Sequence, residues 1–76
     1  MEKKSNDSKF VLLRKSKGVT QKQIADALGV TERTVWAWEK GHQIPNLSIP
    51  QIKALCRVLD TTVEDLPDNF GPATEI

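Results

Sequence analysis

Thr20 to Gly41 runs T-Q-K-Q-I-A-D-A-L-G-V-T-E-R-T-V-W-A-W-E-K-G, and its spacing predicts two short helices joined by a tight turn. Thr20 supplies a hydroxyl N-cap, and Ile24, Ala25 and Leu28 follow at helical spacing as one apolar face. Gly29 stands where the first of these helices must end in the left-handed conformation, which glycine enters without a Cβ clash. Val30 plugs the turn, Thr31 is a second N-cap, and Gly41 closes the second helix. That second helix turns Val35 and Trp38 inward and leaves Glu32, Arg33, Trp36, Ala37 and Lys40 on its other face.

Two helices crossing steeply about a turn of a few residues make a helix-turn-helix, whose second helix is sized for a DNA major groove. The run T-Q-K-Q-I-A-D-A-L-G-V-T-E-R-T-V-W-A-W-E-K-G, continuing to Pro45, resembles the Cro/phage-repressor type of helix-turn-helix, the XRE family. The likeness extends from about Phe10 to Leu66. It rests on the combination of T-Q opening one helix, A-x-x-L-G-V at the turn and W-E-x-G closing the next. The resemblance implies an all-α, compact five-helix domain of phage-repressor type, with the helix-turn-helix at its second and third helices. The connection from Pro45 to Pro50 is longer here than is common in that family.

Working outward from the motif, residues 1–7 are polar and without pattern, and read as a flexible N-terminal arm. A first helix is expected from about Ser8 to Ser16, with Phe10 and Leu13 inward, Val11 and Leu12 widening the apolar stripe, and Gly18 ending it. Beyond Gly41 the run His42-Gln43-Ile44-Pro45-Asn46 is a loop. Ser48 caps a fourth helix, Pro50 sits in its first turn, and Ile52, Leu55, Cys56 and Leu59 repeat at helical spacing. Thr62 caps a short fifth helix, Val63 to Leu66, which Pro67 stops. Residues 8–66 thus form the DNA-binding domain and residues 67–76 a C-terminal tail, with Phe70 folding back onto the body.

A chain of 76 residues accommodates one domain. The single cysteine, Cys56, excludes an internal disulfide and fits a reducing compartment. No apolar run approaches the ~20 residues that cross a bilayer, so no membrane partner is expected, and the cytoplasm, at the nucleoid, is the expected location. Net charge is only +1, which argues against indiscriminate polyanion binding. The distribution is polarised: Lys9, Arg14, Lys15, Lys17 and Lys22 lie at one end of the sequence, and Asp60, Glu64, Asp65, Asp68 and Glu75 at the other.

N-terminal residues of a recognition helix sit deepest in the groove. Arg33 can donate two hydrogen bonds to guanine O6 and N7, and Glu32 can accept from cytosine N4. Glu32 has a competing explanation, since a carboxylate after an N-cap stabilises the helix dipole without any ligand. Trp36 stands where the family often has a small polar residue. It packs on sugar or a thymine methyl, meets a protein partner, or extends the core. Ala37 suits a thymine methyl. Phosphate contacts are expected from Gln21, at the positive end of its helix, and from Lys22, Thr31, Lys40, His42 and Gln43. The resemblance also implies an ion pair between Arg14 of the first helix and Glu39.

One histidine and one cysteine in separate elements give no catalytic triad and no zinc spacing, and no glycine-rich phosphate loop is present, so neither enzyme activity, metal nor cofactor is expected. The reading is a sequence-specific regulator of transcription that binds double-stranded DNA, acting as an operator-binding repressor. A homodimer would use the fourth and fifth helices or the tail. The alternative is a protein-interaction module, such as an antitoxin-like regulatory subunit.

Overall fold

A computed structural model describes residues 8–71. The chain forms α1 (Lys9–Ser16), α2 (Gln21–Leu28), α3 (Glu32–Lys40) and α4 (Ile49–Leu59), followed by a single 3-10 turn at Val63–Asp65. The domain is all-helical, with four α-helices among the described residues where the sequence predicts five. The expected fifth helix is only that 3-10 turn, because Pro67 forces the residue before it out of helical space. Leu66 accordingly has φ −73° and ψ 135°. The proposed N-terminal arm and the last residues of the proposed tail, 72–76, lie outside the described residues.

Each helix begins on a side-chain cap. Ser8, Thr20, Thr31 and Ser48 accept hydrogen bonds from the backbone N–H groups of Val11, Gln23, Thr34 and Gln51. At Thr20 and Ser48 the third helical residue is glutamine, whose side chain reaches back to the cap's own N–H and completes a capping box. The turn between α2 and α3 depends on Gly29, at φ 73° and ψ 30°. There the Val30 N–H bonds the Ala25 carbonyl at 3.0 Å and bends the chain back sharply.

The core gathers Phe10 from α1, Ile24, Ala25 and Leu28 from α2, Val35 and Trp38 from α3, and Leu55 and Leu59 from α4. α2 packs against both α3 and α4 and is the central element. Leu12, expected to widen the stripe of α1, is 50% exposed, since it lies two residues from Phe10 and therefore across the helix axis from it. Phe70 completes the core from beyond the last turn. Its ring stacks on Phe10 with centroids 4.0 Å apart and meets the Trp38 ring edge-on at 6.0 Å. Ser8 Oγ donates to the Phe70 carbonyl at 2.7 Å, while the same oxygen caps α1. The next residue, Gly71, passes so close to the end of α3 that a Cβ there would stand 2.9 Å from Gly41 Cα.

One polar cluster lies inside this apolar frame. Glu39 is 6% exposed, and its carboxylate receives Arg14 Nε at 2.7 Å, Arg14 Nη2 at 3.1 Å and Gln21 Nε2 at 2.8 Å. Arg14 Nη1 donates to the Val19 carbonyl at 3.1 Å. Removing either charge leaves the other buried and uncompensated, which costs about 3–5 kcal/mol. Arg14→Ala and Glu39→Ala should each lower the thermal midpoint, by about 12 °C or more for a domain of this size. Unchanged midpoints would show the pair to be energetically idle.

Candidate nucleic-acid interface

The two faces of α3 differ in kind. Val35, fully buried, and Trp38, at 5% exposure, fix the inner face to the core, and Glu39 ties it to α1 and α2. On the outer face Glu32, Arg33 and Lys40 are exposed and Trp36 is half-buried. An outward row of this kind, on a helix whose other side is anchored, is what a groove-reading element requires. The N-terminal turn is capped through Thr31, whose hydroxyl accepts from the Thr34 N–H at 3.1 Å and bonds the Thr34 hydroxyl at 2.9 Å.

Ala37 lies on the expected outer face but is little exposed there. It is 7% exposed, and the chain doubles back beside it after Gly41. The His42 and Gln43 N–H groups return to the Ala37 carbonyl at 2.9 and 3.4 Å, and so the loop covers that part of the helix. What remains beside it is a shallow concavity of about 360 Å³, lined by Arg33, Thr34, Trp36, Ala37, His42 and Gln43. Thr34 belongs to this surface, although the sequence reading does not single it out. Its position, one turn after Thr31 and one residue after Arg33, is the signal that marks it.

The aromatic side chain on this face is not isolated. The Arg33 guanidinium carbon lies over the Trp36 ring at 4.8 Å from its centroid. The His42 ring lies 5.4 Å from the same indole, tilted by 33°. Side chains from the first turn of α3, its second turn and the following loop therefore meet at one ring.

Of the expected phosphate donors, Lys40, His42 and Gln43 are exposed beside the end of α3. Lys22 is exposed on α2, where Asp26 stands 3.3 Å away with both side chains largely in solvent, an interaction too weakly held to commit the lysine. Gln21 is different from the expectation. Its side-chain amide turns inward to Glu39 at 2.8 Å instead of standing free beside the helix end. Buried carboxylate oxygen is the stronger acceptor, and Gln21 supplies the donor that Arg14 leaves room for. The backbone N–H of Gln21 is one of the first-turn donors that α2 cannot use internally.

Among the described residues no three His, Cys, Asp or Glu side chains are grouped to hold a metal ion, and no helix is long and apolar enough to cross a membrane.

A family model described as helix-turn-helix matches residues 12–66, from the middle of α1 to one residue beyond the 3-10 turn. No curated protein and no solved structure matches the chain. The match takes in α2, α3 and the Gly29 turn between them together with the α4 that packs behind, so motif, fold and outward-facing third helix agree. The chain belongs to the Cro/C1-type, or XRE, helix-turn-helix family, a family of DNA-binding regulators.

Proposed function

We propose that this chain binds double-stranded DNA at specific sequences and represses transcription by occupying operators. The observation that carries the reading is the exposed pair Glu32 and Arg33 at the N-terminal end of an α3 whose inner face is locked to the core. Arg33 is the principal base reader in this account, bidentate to guanine, with Glu32 accepting from cytosine N4. Lys22, Lys40, His42 and Gln43, together with the Gln21 backbone N–H and the Thr31 end of α3, hold the phosphates on either side. Blocking access to a site is the regulatory act that a DNA-binding unit performs unaided. The work is non-enzymatic, and it is done in the cytoplasm, at the nucleoid.

A second copy of the chain completes the binding unit. Ile49 and Val63 are 69% and 61% exposed around the start of α4 and the 3-10 turn, and Ile44 is 89% exposed in the preceding loop. Val63 lines a shallow apolar groove with Pro45, Leu47, Ile52 and Leu66. Exposed Lys53 and Arg57 of α4 complement exposed Glu64 and Asp65 of the turn, so two copies can pair charge as well as apolar surface.

Selection of bound sites from random duplexes tests both parts. An inverted repeat is expected, its half-sites reporting the dimer. For a dimer neutralising on the order of four phosphates, log affinity should fall against log salt with a slope near ~−4. A flat salt dependence with no enriched sequence would exclude DNA binding and favour a protein-interaction module, and enrichment of a single half-site would exclude the dimer.

Substitutions should separate base reading from phosphate contact. Arg33→Ala is expected to cost about 1–3 kcal/mol on the preferred site and to relax preference at one base pair per half-site. Lys40→Ala should weaken all sequences about equally and reduce the salt slope by about one unit for each phosphate left without its lysine. An unaltered selected motif for Arg33→Ala, with affinity uniformly reduced, would make Arg33 a phosphate clamp.

A further inference from the structure

Trp36 is the large side chain that the fold does not account for. It lies outside the buried cluster and outside the set of apolar residues packed against that cluster. It stands half-buried on the outer face of α3, beside exposed Glu32 and Arg33. Its ring meets the Arg33 guanidinium at 4.8 Å and the His42 ring at 5.4 Å.

We propose that Trp36 is a positioning residue, and that its indole aims the Arg33 guanidinium so that the two act on DNA as one unit. This rests on the reading of Arg33 as a base reader. Residues at i and i+3 share a helix face, so the arginine reaches the ring without leaving its own helix. A guanidinium is attracted to the negative face of an indole, the strongest of the aromatic rings for this purpose. Among the described residues no carboxylate pairs with Arg33, so the contact restrains the long side chain while its N–H donors stay free of any ion pair. Ordering before contact removes part of the rotamer freedom that binding would otherwise have to freeze.

The indole is in turn braced. His42 follows the Gly41 cap, and its N–H is bonded to the Ala37 carbonyl at 2.9 Å, so the ring that leans on Trp36 comes from a pinned backbone. Trp36 therefore meets a side chain from the start of α3 and one from the loop that ends it. Its influence on base choice passes through Arg33.

The test has a part in the free protein and a part on DNA. In the full chain without DNA, the Arg33 side-chain resonances should be shifted by the ring current of Trp36, and Trp36→Leu should return them to ordinary values. Arg33 resonances that are already ordinary in the unsubstituted protein would overturn the stack, whatever the protein binds. On the selected duplex, a cycle of Arg33→Ala, Trp36→Leu and the double variant should show coupling of about 2–5-fold, the size of an exposed cation–π contact. Trp36→Leu should weaken discrimination at the same base pair as Arg33→Ala, lowering affinity for the selected duplex more than for unrelated duplex. Trp36→Phe, which keeps an aromatic face, should recover part of that discrimination. The thermal midpoint of Trp36→Leu should stay near that of the parent, because the side chain lies outside the core. Additive effects of the single substitutions, or a uniform loss across all duplexes for Trp36→Leu, would overturn the proposal and make Trp36 a backbone contact in its own right. Failure of the unsubstituted chain to select any sequence would instead overturn the base-reading account, and this proposal with it.

Discussion

The Glu39 carboxylate ties together three elements that the apolar core brings into contact. Arg14 comes to it from α1 with two donors, and Gln21 comes from the first position of α2 with a third. Glu39 itself belongs to α3, next to the core residue Trp38. A carboxylate that is 6% exposed is expensive to desolvate, and it persists here because its oxygens are met by directed donors. Apolar packing tolerates small rotations of one helix on another, whereas a forked arginine on a carboxylate accepts a narrow range of geometry. The orientation of the outer face of α3 is therefore set from the inside, by hydrogen bonds to a buried carboxylate.

Gly41 and Gly71 extend that control to the far end of α3. The helix ends at Gly41 with φ 79°, and the segment after Phe70 runs directly against it. A side chain on Gly71 would drive the two backbones apart, and with them the loop that carries His42 and Gln43. Phe70 brings the segment to that place by filling the space between Phe10 and Trp38. The outer surface of α3 thus depends on a residue distant in sequence and contributed by a stretch with no regular structure.

Local events are legible in the sequence, and tertiary ones less so. Thr20, Thr31 and Ser48 as caps, Gly29 and Gly41 as left-handed ends, and the Ile24, Ala25 and Leu28 face all follow from chemistry within one turn of chain. Ala37 keeps the face that helical period assigns it, but period does not report its burial or the return of the loop N–H groups to its carbonyl. The inward turn of Gln21 is invisible for a related reason: its acceptor lies eighteen positions away on another helix. Gln51 shows the same limit, since besides completing its own capping box it donates to the Leu28 carbonyl at 3.0 Å and thereby satisfies the end of α2. The contact of Arg33 with Trp36 lies within one helix, but i, i+3 spacing states only that such a pair can meet.

The hydrogen bond between Ser8 and Phe70 closes almost the whole described chain into a ring, its partners standing sixty-two positions apart. Local helices and the α2–α3 hairpin form over short separations, whereas this closure must wait until the intervening chain is compact, because loop entropy opposes it until then. Loop entropy places this closure after the local helices in folding. Opening of the contact exposes Phe10, loosens the seat of α1 and so weakens the hold of Arg14 on Glu39. Amide exchange should then report α1 and the segment around Phe70 as one cooperative unit, less protected than α2, although the two are at opposite ends of the sequence.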